Sequence, residues 1–221
     1  MNAAAAPPRP RPPRQERSRR TARKILDALE AMLETQSFDA ISVHELARRA
    51  GVSIGSLYAR FPSKDTLVPG LYQRWDEQAR SMGIDDAERK RAREMSLEEV
   101  AHEVTHRLVR RNRRRQQFMR AVSLHARQHP EMLDDELRAR RRKLHAGWVS
   151  LVLEHRDRIR HPNPKRAVEL AIFMTATTIR EKVVFPDAPH AESFAISDRQ
   201  LGDEMARAFL AYLGVTDGGS P

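Results

Sequence analysis

The sequence predicts an all-α fold. Apolar residues recur at three- and four-residue steps along most of the chain, which is the period of an amphipathic helix. No segment of strand length alternates apolar with polar residues. Three serines with the context of helix caps, Ser42, Ser53 and Ser63, follow one another closely. Because such a serine accepts a hydrogen bond from a free amide of the first helical turn, we expect several short helices here.

Composition narrows the class of protein. The 221 residues, 40% of them hydrophobic, are enough to bury a core, and the absence of Cys excludes a disulfide scaffold, a thiolate zinc site and a cysteine nucleophile. The net charge of +10 predicts a polyanionic partner, either nucleic acid or an anionic membrane surface. Neither a signal peptide nor a membrane span is recognisable, so we expect a cytoplasmic protein with no membrane partner.

Residues 1–16 are predicted to form a disordered, cationic arm. Prolines alternate there with arginines, a composition typical of polyproline-like or disordered segments. Two interpretations remain open: a passive tail, or an arm that enters a DNA minor groove beside a major-groove helix. Residues 216–221 are predicted to be a disordered tail.

The first two helices are predicted from the spacing of their apolar residues and from the residues at their ends. The first begins near Ser18 and carries apolar residues at helical spacing. Ser42 and Glu45 have the spacing of a capping box, in which each side chain accepts from the other residue's amide, so a second helix starts there. Gly51 supplies the left-handed residue that ends it.

The third and fourth helices are predicted close behind. Ser53 caps a short helix that Pro62 ends, and Ser63, with Asp65 in the first turn, caps the next. Pro69 then falls inside this fourth helix, where a missing N–H and a bulky ring would kink it. Since this helix leads out of the N-terminal domain, we expect the kink to transmit ligand-driven movement.

Longer helices are predicted for the rest of the chain. The charged segment 83–94 is either a solvated helix or a linker, and a capping box at Ser96 opens the helix after it. Asp134 caps a long helix, the apolar stretch 168–184 forms another, and a last amphipathic helix ends at Gly214.

The two short helices joined at Gly51-Val52-Ser53 have the spacing of a helix-turn-helix. Small residues, Ala47 and Ala50, allow the helices to approach closely, and the second helix then faces outward toward a major groove. Its exposed positions are expected to face the bases: Ser53, Ile54, Ser56, Ala59 and Arg60. The side chains expected at phosphates are Tyr58 and Lys64, together with Arg19 and Arg20 on the first helix.

Residues 21–71, above all ISVHELARRAGVSIGSLYARFPSKDTLV, resemble the DNA-binding domain of the tetracycline-repressor (TetR) family of bacterial transcriptional regulators. The resemblance implies an all-α homodimer with a three-helix DNA-binding domain, 17–64, and a C-terminal domain, 65–215, that binds a small effector. It assigns Ser42, Tyr58 and Lys64 to phosphates and adds Gly55 to the base-facing surface.

No enzyme is expected. Gly51-Val52-Ser53-Ile54-Gly55 has the letters of a hydrolase nucleophile elbow, but that motif requires a strand before the serine, and a capped helix precedes it here. His102 and His106 have a spacing that could chelate a metal, yet they lie opposite the apolar face of their helix, so we interpret them as surface residues and expect neither metal nor cofactor. The arginines of 110–115 are a solvated face, an anionic-effector site or a second DNA contact.

Candidate effector-pocket residues are aromatic, Met and neighbouring positions of the C-terminal helices, although such positions are also common in a plain core. They are Phe118, Val122, His125, Trp148, Phe173, Met174 and Thr177.

The helix 168–184 is apolar around most of its circumference and must be covered on more than one side. We therefore expect it to pair with the last helix and with both symmetry mates in a four-helix dimer interface. The residues assigned to this interface are Val168, Ile172, Ile179, Val183, Leu201, Met205 and Phe209.

The sequence thus predicts a homodimer that binds double-stranded, palindromic operator DNA, acting as a repressor that an unidentified small molecule releases. The alternative is a DNA-binding regulator without a small-molecule effector, controlled by a partner protein or acting architecturally. An apolar pocket in the structure favours the first hypothesis, and its absence the second.

Overall fold

The computed structural model describes residues 14–80, 86–132 and 134–215, and in these segments the chain is helical with no strand. The α-helices are α1 (Arg14–Met32), α2 (Val43–Ala50), α3 (Ile54–Tyr58), α4 (Leu67–Arg80), α5 (Asp86–Glu94), α6 (Leu97–Arg114), α7 (Gln116–Gln128), α8 (Asp135–Leu153), α9 (Pro164–Val184), α10 (Pro189–Glu192) and α11 (Asp198–Tyr212). Two 3₁₀ turns, Pro130–Met132 and Arg156–Arg158, flank α8. The all-α prediction is confirmed.

The N-terminal helices share one hydrophobic core with the helices that follow. Ile25, Leu46 and Leu57 bring α1, α2 and α3 together and are fully buried. The same cluster continues through Leu67, Val68, Leu71 and Tyr72 of α4 to Phe118 and Val122 of α7 and Leu137 of α8. The three-helix unit therefore does not close its core alone, and α4 packs between it and the C-terminal helices.

A second core lies among α6, α8, α9 and α11. It contains Leu97 and Ala101 of α6, Val149 and Val152 of α8, Ala167, Val168 and Ala171 of α9, and Ala206, Phe209 and Leu210 of α11. A smaller cluster joins Val109 of α6 to Ile179 and Val183 of α9 and Leu201 of α11. Alanines where these helices cross allow close approach, so α6, α9 and α11 pack directly against one another.

Some helix ends differ from the predictions. Residues 14–16, assigned to the arm, already belong to α1, whereas 1–13 and the tail 216–221 lie outside the described residues. Ser42 accepts from the Glu45 amide as expected, but the Glu45 carboxylate turns to Arg48 and Arg49 instead of closing a capping box. Nearby arginine donors outcompete a single backbone amide for that charge.

Ser63 does not cap α4, which begins four residues later at Leu67. Ser63 instead forms a turn with Thr66, whose hydroxyl donates to the Ser63 carbonyl at 2.7 Å. Pro69 is consequently the third residue of α4, where a backbone N–H has no intrahelical partner to lose. The predicted kink is therefore wrong, since α4 is helical from Leu67 to Arg80.

Further along the chain, the charged segment 83–94 contains a helix from Asp86 to Glu94, and the short α10 lies between α9 and α11. The capping box at Ser96 and the cap at Asp134 are confirmed. α9 begins at Pro164, ahead of the predicted Val168, because Asn163 accepts from the Arg166 amide. Among the described helices, none combines the length and the apolar character needed to cross a bilayer.

Two glycines of the helix-turn-helix should respond oppositely to replacement by alanine. Gly51 has φ +62°, which alanine adopts at a cost of about 1 kcal/mol, so Gly51→Ala should lower the free energy of unfolding. Gly55 lies in α3, and a Cβ atom at this position would have no neighbouring atom within 4 Å. Because alanine loses less backbone freedom than glycine on folding, Gly55→Ala should raise the free energy of unfolding by up to ~1 kcal/mol. Urea unfolding followed by circular dichroism measures both, and the same sign for the pair would contradict this account.

Candidate nucleic-acid interface

The α2–α3 pair is held by its caps and its buried faces. The Ser42 hydroxyl accepts from the Glu45 amide at 3.1 Å, and the Val52 amide donates to the Ala47 carbonyl at 3.1 Å across the turn. Leu46, Ala47 and Ala50 are buried, so the opposite face of α2 is directed to solvent. These contacts fix the angle at which α3 leaves the turn.

α3 is the element that presents its surface outward. The Ser53 hydroxyl accepts from the Ser56 amide at 3.1 Å and bonds to the Ser56 hydroxyl at 2.8 Å, which caps the helix. Leu57 alone is buried, while Gly55, Ser56, Ala59 and Arg60 are exposed. Ile54, expected at the bases, is half-buried against the first core, so only part of its side chain faces outward.

The residues expected at phosphates are mostly exposed. Tyr58 is 45% exposed, and Ser42, Arg19 and Arg20 are also exposed. Lys64 is more constrained: its Nζ donates to the Asp39 carbonyl at 3.0 Å and lies 4.9 Å from the centroid of the Phe38 ring. The loop between α1 and α2 thus holds this ammonium in place, and two of its three N–H groups stay available.

The arginines of α2 are functional candidates that sequence reasoning missed. Arg48 and Arg49 both donate to the Glu45 carboxylate, at 2.6 and 3.0 Å, and these hydrogen bonds hold the pKa of Glu45 below its usual range. The Arg48 side chain is 73% exposed. The signal that could have identified them is a glutamate three and four residues before two arginines, a spacing that favours ion pairs as well as a cap.

The predicted effector-pocket residues have different surroundings. Phe118 and Val122 belong to the first core, and Phe173 is 62% exposed and Met174 37% exposed on α9. His125 lies beside His129, with ring centroids 4.4 Å apart, and Thr177 is half-buried on α9. Their assignment to one effector pocket stays a prediction.

Trp148 does line a cavity, between α5, α6 and α8. The cavity measures about 90 Å³ and is bounded by Arg91, Ala92 and Met95, by Val100, Glu103, Val104 and Arg107, and by Trp148 and Leu151. The guanidinium of Arg107 lies 5.5 Å from the centroid of the Trp148 ring. The walls are therefore mostly apolar, with cationic groups and one carboxylate near the Trp148 indole.

The assigned dimer residues mostly belong to the interior of one chain. Val168, Ile179 and Val183 have no exposed surface, Leu201 and Phe209 are buried, and Ile172 and Met205 are half-buried. Val168, Ile179 and Val183 are covered by α6, α8 and α11 of the same chain and have no surface left for a partner, whereas the assignment of the other residues to a dimer stays a prediction. The side of α9 left uncovered carries Leu170, Phe173 and Met174.

The arginines of 110–115 do not form one basic surface. Arg113 pairs with Asp198 at 2.6 Å and Arg115 with Glu30 at 3.3 Å, and the Arg111 guanidinium lies 5.0 Å from the centroid of the Trp75 ring. These three arginines connect the C-terminal end of α6 to α11, α1 and α4, whereas Arg110 and Arg114 are exposed.

α4 is tied to its neighbours by further polar contacts. Arg74 pairs with Asp27 of α1, Arg140 of α8 donates to Asp76 at 2.9 Å, and Arg141 donates to the Tyr72 hydroxyl. Burial is the main reason why the pKa of Tyr72 lies above its ordinary value. The helix that leaves the helix-turn-helix is thus clamped on both sides.

Residues 25–71 match the family model of bacterial regulatory proteins, tetR family. In fold, the chain is similar to a putative TetR-family transcriptional regulator from Mesorhizobium loti, with a TM-score of 0.59 and 23% identity over 88% of this chain and 97% of that one. A tetR-family regulator from Streptomyces coelicolor gives a TM-score of 0.56 and 19% identity over 91% and 82%.

Curated relatives are similar over part of the chain. The nucleoid occlusion factor SlmA of Idiomarina loihiensis is 46% identical over 59 residues, which are 27% of this chain and 29% of that protein. The HTH-type transcriptional regulator EthR of Mycolicibacterium smegmatis is 38% identical over 82 residues, 34% of this chain and 37% of that protein. The alignments thus span less than two fifths of the length of these relatives.

Proposed function

Since the chain is a tetR-family protein by its N-terminal DNA-binding domain and has the all-α fold of solved tetR-family regulators, we propose that it acts as a homodimeric transcriptional repressor released from a palindromic operator by a small molecule. The exposed face of α3, flanked by cationic side chains, is the observation that carries this proposal. The proposal has three parts, which are the DNA contact, the dimer and the effector site.

The proposed DNA contact places α3 in a major groove. A helix of five residues is about 7.5 Å long, so it reads only a few base pairs. Ser56, Ala59 and Arg60 face the bases, with Gly55 allowing close approach, while Tyr58 and Lys64 hold phosphates. Because α3 is so short, sequence specificity for DNA increases when two copies bind half-sites about 34 Å apart. This arrangement requires a dimer.

The proposed dimer uses the uncovered side of α9. Leu170, Phe173 and Met174 are three and four residues apart, so they form one apolar stripe on the helix surface. Contiguous exposed apolar side chains of this kind mark interaction sites. A second copy is the proposed occupant, because an identical stripe related by a twofold axis is self-complementary and gives a closed dimer.

The proposed effector site is the cavity beside Trp148. Its volume of about 90 Å³ is below the roughly 300 Å³ at the lower end of small-molecule sites, so only a molecule of a few heavy atoms fits without movement. A larger effector would separate α5 from α6 and α8. Because Arg91 pairs with Glu103 of the same wall at 3.1 Å and the Arg107 guanidinium lies over the Trp148 ring, the site suits a flat, apolar effector.

A second candidate function follows from the same small cavity and from the relatives named as nucleoid occlusion factors. In this alternative the chain binds DNA without any small-molecule effector and acts through a partner protein or architecturally. The two functions differ in where the protein binds: a repressor occupies few sites beside promoters, whereas an architectural factor occupies many sites spread over the chromosome.

Enrichment of genomic fragments by the purified full chain tests the proposal. We expect a small set of fragments that share one palindrome near a gene start, and the neighbouring genes then indicate which compounds to screen for release. Fragments without a common palindrome, or bound equally well after scrambling it, would contradict the proposed operator.

Lys64→Ala should weaken binding to all DNA sequences about equally. Loss of one phosphate contact should make the slope of log K against log salt concentration shallower by roughly one unit. Lys165→Ala is the matched control, since this exposed lysine lies at the start of α9 beside the second core. Titrations at several salt concentrations measure both, and a Lys64→Ala slope equal to that of the control would mean that the docking pose is wrong.

Phe173→Glu should give monomers that lose operator binding although the helix-turn-helix is untouched. A carboxylate in the middle of the apolar stripe would be desolvated in the dimer without a partner. Leu124→Glu is the control, because this residue is 39% exposed on α7, away from the stripe. Sedimentation and operator titration give the two readouts, and a Phe173→Glu chain that remains dimeric would place the interface elsewhere.

A further inference from the structure

Three side chains that could bind a metal meet between α6 and α11. His102 and His106 lie one turn apart on α6, and Asp203 reaches them from α11. Nε2 of His106 lies 2.8 Å and Nδ1 of His102 lies 3.6 Å from Oδ1 of Asp203. One ligand atom from each residue falls within 4.8 Å of both others. The spacing of the two histidines alone favours surface residues, and the carboxylate from a distant part of the sequence changes that interpretation.

The cluster depends on a close approach of the two helices at Gly202. A Cβ atom at this position would lie 2.6 Å from Nδ1 and 2.7 Å from Cε1 of His106, closer than side-chain contacts allow. The absence of a side chain at Gly202 therefore lets the His106 imidazole lie flat against α11. In that position its Nε2 edge points to Asp203, the next residue along α11.

The distances suit a small divalent cation. Zinc bound to imidazole nitrogen at 2.0–2.1 Å in tetrahedral geometry separates its ligand atoms by ~3.3 Å. The His102–Asp203 distance of 3.6 Å is already close to this value, and the His106–Asp203 distance must open by about 0.5 Å to exchange a hydrogen bond for two metal bonds. Two imidazoles and one carboxylate also form a donor set that Zn²⁺ accepts readily.

Charge and exposure are compatible with a bound cation. Asp203 supplies the carboxylate of the cluster, and it already lies within hydrogen-bond distance of Nε2 of His106. Arg199 lies one turn earlier on α11, and its positive charge acts on the same carboxylate. The side chains of His102, His106 and Asp203 are 50%, 26% and 37% exposed, which leaves room for water to complete the coordination.

We propose that His102, His106 and Asp203 form a binding site for a divalent transition-metal ion such as Zn²⁺, which links α6 to α11. The site lies on the face of α6 that packs against α11, whereas Glu103 and Arg107 of the same helix line the cavity beside Trp148. The ion stabilises the folded chain because the unfolded chain does not present these three ligands together.

The test uses the full chain without a histidine tag, freed of metal by a chelator and titrated with ZnCl₂. We expect one ion per chain by calorimetry and an increase in melting temperature. His102→Ala and Asp203→Asn should each weaken binding by a factor of at least about 10 and abolish the increase in melting temperature. Gly202→Ala, which displaces the His106 ring without removing a ligand, should also weaken binding.

His129→Ala is the matched control, because His125 and His129 have the same spacing at the C-terminal end of α7 and stack at 4.4 Å. The Glu131 carboxylate lies 3.0 Å from Nδ1 of His129, but among the described residues these three side chains do not bring one ligand atom each within 4.8 Å of both others. The zinc affinity of His129→Ala should equal that of the unmodified chain. Melting curves of all metal-free variants establish that they fold, and Asp203→Asn keeps a hydrogen-bonding group for His106. Absence of stoichiometric binding, or a loss in His129→Ala as large as in Asp203→Asn, would overturn the proposal.

Discussion

The helix-turn-helix of this protein has no hydrophobic core of its own. A unit made of α1 and the two short helices α2 and α3 buries too little apolar surface to be more than marginally stable, and its core is completed by α4 and by Phe118, Val122 and Leu137 from α7 and α8. The position of α3 is therefore set by helices that belong to the C-terminal part of the chain. Any rearrangement of α7 or α8 must repack the core on which the recognition surface rests.

Two helices, α6 and α8, connect the cavity beside Trp148 to α4, which shares the core of the helix-turn-helix. On α6, Arg107 lines the cavity, and Arg111, one turn further, stacks on Trp75 of α4. On α8, Trp148 lies about 10 Å along the helix from Arg141, which donates to Tyr72 of α4. Both helices are continuous between these points, so they can transmit a displacement as rigid bodies.

Local signals in the sequence were sufficient for the helices and the helix-turn-helix, because caps such as Ser53 and the left-handed Gly51 act on their own neighbours. Pro69 shows where local signals are insufficient, because the effect of a proline depends on its distance from the helix start. α4 begins at Leu67 and not next to Ser63, so Pro69 lies in its first turn. Asp203 could not be assigned to His102 and His106 from sequence, because their contact joins helices separated by nearly half the chain. The pocket and dimer assignments meet a related limit, because helical periodicity identifies an apolar face but not what covers it.

α9 shows which of its apolar faces the rest of the chain covers and which it leaves exposed. The helix is apolar on nearly all sides, and one chain can cover only the faces turned toward α6, α8 and α11. Val168, Ile179 and Val183 occupy those faces, which leaves Leu170, Phe173 and Met174 exposed. Polar substitution of the exposed three would cost the isolated chain little, since they contribute little to its core. A contact outside the chain would account for their apolar character, and the proposed twofold pairing of α9 would supply one.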